Sequence, residues 1–435
     1  MRTLSRTPTR PTSAPGTTRR RFLGGACAAG AGTLLAPRLA FATPDQPALG
    51  DAVVTVFLRG GCDGLSLTPP YGYQSYRDLR PTIAIPPPGE VGGALPLTSA
   101  SAPSAQFPTG LDGVIGLHPA MQQIYDAMWT TGRMAIVPAA GLPRSESRTR
   151  SHFEAERYWE RGSAAPTVRS GWLNRMLAVQ GGGGLVPGVN TSSQATDLML
   201  GSAKTITVPR LDRFGISGFP SSSRAASALA TLYPSGAGTR VGDTGSDVLS
   251  VVDVLGALEH TAPSYPSGGF GSDLRDIALM LRAGIGLRAA SVDLGGWDHH
   301  GELGAPGDTD GRFWNRAQML GDALRAFVDD LGPAIDEVTI LVITEFGRTI
   351  NENGSQGTDH GRGASIMAMG GGIQGGVFGY DYPDVIADDP DEGDLTILTD
   401  YRQMVAEVLT GRAGLTDLGA VFPTFTPGTP LGLAP

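Results

Sequence analysis

Histidine and carboxylate side chains recur in this 435-residue sequence just after apolar runs of strand length. The β-branched run 338–343 leads directly to Glu345, and the pair Asp359-His360 follows in a polar segment flanked by glycines. Imidazole nitrogens and carboxylate oxygens bind divalent cations and also transfer protons. The pattern therefore predicts a metal or acid–base site that begins where a buried strand ends.

Two further stretches repeat this arrangement of strand, glycines and carboxylate. The run 289–294 is followed by two glycines and then by Asp298 and His300, and the run 52–58 leads into a glycine-rich turn that carries Asp63. An aspartate beside a glycine is also common in simple turns. However, ligands bind beyond the carboxyl ends of parallel strands, where the loops converge. We therefore expect these side chains to meet at one edge of a sheet.

A segment rich in serine and arginine precedes a predicted helix that begins at Ser151. Ser151 and Glu154 have the spacing of a capping box, which alone accounts for the serine. The free N–H groups and the dipole of a helix N-terminus also favour anions, and they help a nearby hydroxyl to ionise. Ser147, Thr149 and Ser151 are therefore candidate nucleophiles, and His152 is a candidate ligand or base.

The elements that must position these residues alternate along the chain as strand and helix. This alternation predicts an α/β fold, with a mainly parallel central sheet between two layers of helices. The less periodic region 167–272 predicts strands with long loops or an inserted cap. Strands are predicted over 52–58, 134–138, 289–294 and 338–343, and helices over 117–131, from Ser151, over 274–287 and over 312–331.

The first 42 residues have the features of a twin-arginine export signal. Arg19, Arg20 and Arg21 precede a short apolar run, and Ala40-Phe41-Ala42 is a typical cleavage site. The apolar run is too short and too interrupted to remain as a transmembrane helix. We expect a mature chain from about Thr43 that interacts with the export machinery and is secreted, periplasmic or attached to the cell envelope.

The charge and the cysteines narrow the possible partners and the compartment. The formal charge is −9, and the signal holds seven arginines and no acid, so the mature chain carries about −9 − 7 = −16. This balance argues against nucleic acid or an anionic membrane as a partner. Cys27 lies in the signal, so Cys62 remains alone in the mature chain and no intrachain disulfide is expected.

Taken together, these motifs resemble a bacterial secreted family known as domain of unknown function 1501. The resemblance extends over essentially the whole mature chain. That family is similar in fold to the alkaline phosphatase and sulfatase superfamily, so the resemblance implies the same three-layer α/β architecture. It rests on Asp63-Gly-Leu, Arg150-Ser-His-Phe, Gly295-Gly-Trp-Asp-His-His, Thr344-Glu-Phe-Gly-Arg-Thr and Gly357-Thr-Asp-His-Gly.

The superfamily resemblance implies particular roles for several of these residues. It assigns metal binding to an aspartate after the first strand, which Asp63 matches, and a nucleophile to a helix start, where Ser151 or its neighbours lie. A middle Asp and His pair matches Asp298 and His300, and a late histidine matches His360.

One position departs from the superfamily pattern. An Asp-His pair is expected after a later strand, where this chain has Glu345-Phe346. One imidazole is therefore absent, which argues against the usual pair of zinc ions. If Asp359 compensates for it, the site becomes richer in oxygen and better suited to calcium, magnesium or manganese.

These features together predict a metal-dependent hydrolase of small-molecule or glycan esters of phosphate or sulfate. Arginines would bind the ester oxygens, and the metal would activate a hydroxyl or a water molecule. The alternative is a non-catalytic metal-stabilised protein of the envelope that binds carbohydrate or another ligand. The candidate catalytic residues are Ser151, Arg150 and Arg348, and the candidate metal ligands are Asp63, His152, Asp298, His300, Glu345, Asp359 and His360.

Overall fold

The computed structural model of this chain describes seven ranges of residues. The predicted signal peptide, its cleavage site, Cys27 and His260 lie outside them. The described ranges are 51–108, 110–181, 184–193, 195–215, 224–258, 264–379 and 393–435.

A nine-stranded, mostly parallel sheet forms the centre of the fold. The eleven described strands are β1 (Ala52–Arg59), β2 (Leu95–Pro96), β3 (Gly116–Leu117), β4 (Met134–Gly141), β5 (Gly188–Asn190), β6 (Thr205–Thr207), β7 (Ala289–Gly295), β8 (Val338–Ile343), β9 (Ala364–Gly370), β10 (Gly376–Val377) and β11 (Thr399–Asp400). The order in the large sheet is β10-β4-β9-β8-β1-β7-β5-β6, with β11 also paired to β4, and β2 and β3 form a separate antiparallel pair. Within the large sheet, β9 is antiparallel to β4 and β8, and the other pairings are parallel. The fold is therefore α/β with a mixed central sheet.

The four strands predicted from the sequence are present, and their bounds differ by a few residues at most. The region 167–272 contributes β5 and β6 to the central sheet. The α-helices are Gly64–Leu67, Gln74–Leu79, Gln122–Ile124, His152–Arg161, Trp172–Gln180, Arg224–Ser235, Arg240–Gly256, Gly269–Arg282, Arg312–Leu331, Tyr401–Gly411 and Leu418–Val421.

Two of the predicted helices differ from the structure. The predicted helix 274–287 begins earlier and ends at Arg282. The predicted helix 117–131 is divided into a 3-10 turn, a short α-helix and the π-helical turn Tyr125–Trp129. In that turn the Tyr125 hydroxyl donates to the Pro96 carbonyl and the Trp129 indole donates to Ser101. The π-helical turn is therefore also the part of this segment that forms hydrogen bonds to residues 96 and 101.

Apolar side chains cover both faces of the central sheet. Along β1, Val54 and Val56 enter one buried cluster and Val53 and Phe57 enter the other, because successive side chains of a strand point to opposite faces. The helix Arg312–Leu331 packs in the first cluster, and the helices Trp172–Gln180 and Tyr401–Gly411 pack in the second. A strand buried on both faces has a continuous apolar run, which is why β1 and β8 are recognisable in the sequence.

The pairing directions bring several loops to one edge of the sheet. The strands β1, β4, β7 and β8 all end at this edge, and the antiparallel strand β9 begins there. Among the described residues, no helix is long and apolar enough to cross a membrane.

A buried histidine makes the stability of the fold sensitive to acid. His118 lies against the rings of Phe313 and Trp314, and its Nδ1 accepts a hydrogen bond from the Ala120 N–H at 3.1 Å. Burial lowers the pKa of His118 to about 3. An unfolded chain binds a proton here near pH 6.5, so this histidine favours folding above that pH, and the contribution is lost as the pH falls toward 3.

Between pH 7 and pH 4.5 the wild-type protein should therefore lose roughly 2 kcal/mol more of its free energy of unfolding than His118→Asn does. The Asn side-chain oxygen replaces Nδ1 as an acceptor but does not titrate. Urea unfolding of both proteins at the two pH values measures the difference. Equal losses for the two proteins would contradict this account.

Candidate functional site

Five side chains of chemical interest converge at the carboxyl edge of the sheet. His152 begins the helix that follows β4, and Asp298 and His300 follow β7. Glu345 lies two residues beyond the end of β8, and His360 precedes β9. Strands at the centre of the sheet therefore position residues that are far apart in the sequence.

Three donor atoms form a compact triangle. The Nε2 atoms of His152 and His360 are 3.0 Å apart, and they lie 3.5 and 3.3 Å from Oδ1 of Asp298. Tetrahedral zinc with bonds of about 2.0–2.1 Å holds its donors roughly 3.3–3.4 Å apart. Among the described residues, these three form the group whose spacing fits a metal ion.

The opposite nitrogens of the two imidazoles fix which atoms face the triangle. Nδ1 of His152 lies 2.8 Å from a Glu345 carboxylate oxygen, and Nδ1 of His360 lies 2.7 Å from the Arg150 carbonyl oxygen. A carbonyl oxygen and an ionised carboxylate can only accept, so each Nδ1 carries a proton and donates it. In the neutral rings both Nε2 atoms then present lone pairs to each other. Metal-binding histidines are held by carboxylates and carbonyls in this same way.

His300 lies beside the triangle with the same orientation. Its Nε2 is 3.0 Å from both Asp298 Oδ1 and His360 Nε2. Its Nδ1 lies 3.1 Å from the Asp359 carboxylate, which also accepts a hydrogen bond from the Asn353 amide. The carboxylate of Asp359 therefore orients His300.

The protonation equilibria favour a cation or a shared proton at this point. The hydrogen bond to Glu345 raises the pKa of His152, whereas burial lowers the pKa of His360. Burial alone would raise the pKa of Asp298, but the hydrogen bond and the charge of Arg348 lower it to about 2. A metal ion that binds the facing lone pairs would compete with a proton for them.

Arg348 connects the loops that carry the triangle. Its guanidinium is buried and donates to Asp298 Oδ1 at 2.6 Å, and its Nε donates to the Gly61 carbonyl at 2.6 Å. The remaining acceptors are the carbonyls of Gly60, Trp297 and Thr358. Arg348 thus stabilises the meeting point of the loops after β1, β7 and β8.

Phe346 packs against the two imidazoles from one side. Its ring centroid lies 4.8 Å from that of His152 and 5.0 Å from that of His360. Gly61 makes this contact possible, because a Cβ there would lie 2.4 Å from the Phe346 ring and the backbone has a φ of +64°. The Phe346 ring therefore restricts the orientation of the two imidazoles.

A protein-family model matches the part of the chain that contains these side chains. The model of a protein family of unknown function, DUF1501, matches residues 147–393, which are more than half of the chain. The chain belongs to the DUF1501 family. A search among curated proteins found no match.

The region matched to DUF1501 contains all five side chains of the cluster, whereas Asp63 lies outside this region. The cluster comprises His152, Asp298, His300, Glu345 and His360. The Asp63 oxygens are 2.6 and 3.0 Å from two guanidinium nitrogens of Arg80, and the Ser66 hydroxyl donates to Asp63 at 2.6 Å. Asp63 is absent from the group of described residues with metal spacing. The structure thus places the Asp63 carboxylate in a buried ion pair with Arg80, and metal binding by Asp63 stays a prediction.

The hydroxyl groups expected near the helix start have different surroundings. Ser151 is exposed, and its side chain does not cap the helix, so the predicted capping box is absent. Instead, the Thr149 hydroxyl donates to Glu154 at 2.7 Å. Ser147 and Thr149 line a narrow pocket of about 20 Å³ behind Glu345 that has room for about one water molecule.

Arg148, Arg150 and Arg348 are the alternatives for binding ester oxygens, and two of them, Arg150 and Arg348, have acidic partners in the structure. The Arg150 guanidinium donates to Asp394 at 2.9 Å, and the Arg150 backbone carbonyl accepts from Nδ1 of His360. Arg348 is engaged with Asp298 and backbone carbonyls, as described above. Both arginine side chains therefore form hydrogen bonds to residues of the protein near the cluster.

The group with metal spacing offers two imidazole nitrogens and one carboxylate oxygen, whereas an oxygen-rich site was expected from the sequence. Glu345 and Asp359 face the Nδ1 atoms of histidines. The sequence also gave no signal for the carbonyl of Arg150 or for Arg80. A backbone carbonyl has no residue-type signature, and Arg80 meets its partners only through the tertiary fold.

Proposed function

We propose that this protein is a metal-dependent hydrolase of phosphate or sulfate esters, in which His152, Asp298 and His360 hold one divalent ion. One observation supports this proposal most strongly. Two imidazole Nε2 atoms and a carboxylate oxygen face one another at 3.0–3.5 Å, and each imidazole is fixed by an acceptor on its other nitrogen. Three protein ligands leave a coordination position open, as in catalytic zinc sites.

The nature of the donors favours zinc over calcium or magnesium. Imidazole suits zinc and other transition metals, whereas calcium and magnesium prefer oxygen ligands. His300 is a fourth donor within reach of the same atoms, at 3.0 Å from Asp298 Oδ1. Its side chain is about half exposed, so it is free to bind the ion or to contact substrate.

The residues around the ion have separable tasks in the proposed reaction. A bound divalent ion polarises an ester oxygen and lowers the pKa of a bound water or hydroxyl. Glu345 and the Arg150 carbonyl orient the two imidazoles, and Arg348 keeps Asp298 ionised. The attacking group is a water molecule or one of the hydroxyls of Ser147, Thr149 and Ser151.

The fold and the N-terminal sequence support the same assignment. A mixed central sheet with the cluster at its carboxyl edge is consistent with an alkaline phosphatase-like architecture. Residues 1–42 are proposed to direct twin-arginine export, which carries folded proteins and so allows the ion to be loaded before export. The mature protein would then act on its ester substrate outside the cytoplasm.

A non-catalytic metal protein of the envelope is the second candidate. It is favoured by the contacts of Arg348 and Arg150, because both guanidinium groups are engaged by acidic residues of the protein. A hydrolase of this arrangement would rely on the ion and His300, without these arginines, to bind the ester oxygens. Turnover separates the two candidates.

Elemental mass spectrometry and turnover assays test the proposal together. Protein purified without chelator or added metal is expected to carry about one zinc ion per chain. Hydrolysis of aryl phosphates, phosphodiesters or aryl sulfates should disappear on chelation and return with zinc. His118→Asn is the matched control, because it changes a buried histidine that does not belong to the cluster.

The possible outcomes are distinct. Stoichiometric metal without turnover on any ester supports the non-catalytic candidate. Iron in place of zinc would point to oxygen chemistry, because two histidines and one carboxylate also bind iron(II). The absence of any bound metal would refute both the hydrolase and the metal-protein candidates.

A further inference from the structure

A group of charged side chains near the metal ligands is centred on Arg59, the last residue of β1. The Nε atom of Arg59 donates to Asp293 of β7 at 3.1 Å. Its terminal nitrogens form a hydrogen bond to Glu160 and a longer contact of 3.5 Å to Glu156. The four side chains are between 7% and 27% exposed, so these contacts are largely shielded from water. One guanidinium therefore joins β1, β7 and the helix His152–Arg161.

The elements that Arg59 joins carry two of the metal ligands. Glu156 and Glu160 lie one and two turns after His152 on the same face of the helix. The strand β7 leads to Asp298, whose Oδ1 lies 3.5 Å from Nε2 of His152. Arg59 therefore fixes the helix that carries one ligand against the strand that leads to the other.

The backbone at the end of β1 contacts the same ligands by a second route. The Gly60 N–H donates to Glu345 Oε1 at 2.8 Å, and the same oxygen lies 2.8 Å from Nδ1 of His152. The Trp297 N–H donates to the Arg59 carbonyl at 3.3 Å. The backbone here therefore contacts both the residue that orients His152 and the loop after β7.

The arrangement around Arg59 favours a fixed position over a gain in stability. Its guanidinium carbon lies 3.9 Å from the centroid of the Phe57 ring, which restricts the orientation of the planar group. Burial raises the pKa of Glu156 from its ordinary value of 4.5 to about 7, and it also raises the pKa of Glu160. Ionisation of these carboxyl groups therefore reduces the free energy of unfolding as the pH rises toward neutral.

We propose that Arg59 is a positioning residue that sets the distance between His152 and Asp298 and thereby strengthens zinc binding by the cluster. This inference rests on the proposed function, because the zinc site is the one assigned there. Arg59 acts through the helix and β7, since its own donors are directed at carboxylates of these two elements.

Position and charge predict opposite effects when the guanidinium is removed. Loss of a positive charge near a cation site makes the local potential more negative and would strengthen zinc binding. Loss of a positioning contact lets the helix move away from β7 and weakens zinc binding. The sign of the change in zinc affinity therefore distinguishes the two effects.

Competition with a zinc chelator of known affinity measures this sign in three variants. Arg59→Met should weaken zinc binding by roughly tenfold, which is the lower end of the range for residues that orient ligands. Arg59→Lys keeps the charge without the planar fork and should weaken it by roughly two- to fivefold. Arg161→Met is the matched control and should leave the affinity unchanged. Arg161 lies on the same helix and pairs with Asp197 at 2.8 Å and similar exposure, away from β1 and β7.

A double-mutant cycle shows whether Arg59 acts through His152. Arg59→Met should weaken zinc binding of the wild-type protein but have no further effect on His152→Ala. Stronger or unchanged zinc binding in Arg59→Met, or an equal loss with and without His152, would refute the inference. If Arg59→Met does not fold, the same cycle with Arg59→Lys decides.

Zinc binding is measured without turnover, so the inference and the proposed hydrolase activity fail in different ways. A weaker zinc site in Arg59→Met supports the positioning role even if no ester is hydrolysed. A lower free energy of unfolding with unchanged zinc affinity would give Arg59 a purely structural role and refute this inference alone. A wild-type protein without a zinc site would refute both.

Discussion

His360→Ala is expected to weaken zinc binding by roughly 10²–10³-fold. Structural zinc sites with four ligands bind with about 10–16 kcal/mol, so one ligand contributes on the order of 3 kcal/mol. His360 has a central position, because its Nε2 lies 3.0 Å from His152, 3.0 Å from His300 and 3.3 Å from Asp298. Competition with a zinc chelator of known affinity measures the change.

Glu345→Gln provides a graded comparison at the same site. The glutamine keeps the size of the side chain but removes the charge that strengthens the hydrogen bond from His152 Nδ1. Loss of such a partner costs about 10–100-fold in metal affinity. The effect of Glu345→Gln should therefore be smaller than that of His360→Ala, whereas His118→Asn should leave the affinity unchanged.

Thermal unfolding tests independently whether His360 binds the metal ion. An ion that binds only the folded state raises the midpoint of unfolding. Chelation should therefore lower the midpoint of the wild-type protein and have little effect on His360→Ala. Equal zinc affinity in the wild-type protein and His360→Ala would remove His360 from the site, and a larger loss in Glu345→Gln would make Glu345 a direct ligand.

The parts of the fold that the sequence predicted well have strong local patterns. The run 338–343 is apolar except for Thr339 and becomes a strand with these same bounds, because it is buried on both faces of the sheet. The helix 312–331 is also present as predicted, since its apolar residues recur at helical spacing. The ends of such strands then place Glu345 and Asp298 at one edge.

The roles of individual carboxylates were less predictable. A carboxylate near a histidine in the sequence either binds the metal or orients an imidazole, and spacing alone does not distinguish these cases. Glu345 and Asp359 turn toward Nδ1 atoms, whereas Asp298 turns toward the Nε2 atoms. The difference depends on loop conformations that are stabilised by distant residues such as Arg348.

The contacts of Asp63 show this limit most clearly. Its partner Arg80 also donates to the carbonyls of Thr349 and Ile350, which are 269 and 270 residues away in the sequence. The ion pair therefore joins the loop after β1 to the loop after Glu345. Such pairing follows from the tertiary fold and has no local sequence signature.

Asp63→Ala is expected to reduce the free energy of unfolding by about 3–5 kcal/mol. The Arg80 and Asp63 side chains are 0% and 2% exposed, so removal of the carboxylate leaves a buried guanidinium without its counter-charge. Burial alone would raise the pKa of Asp63, but the charge of Arg80 lowers it, so the carboxylate is ionised in the folded protein. Urea unfolding at neutral pH measures the loss.

The double variant Asp63→Leu, Arg80→Met distinguishes a structural ion pair from a metal ligand. Replacement of both buried charges by apolar side chains should recover much of the stability, because it also removes the cost of desolvating them. Folded protein with either Asp63→Ala or the double change should still bind zinc, since the cluster does not use Asp63. Loss of zinc with unchanged stability in Asp63→Ala would instead make Asp63 a ligand, as the sequence alone predicted.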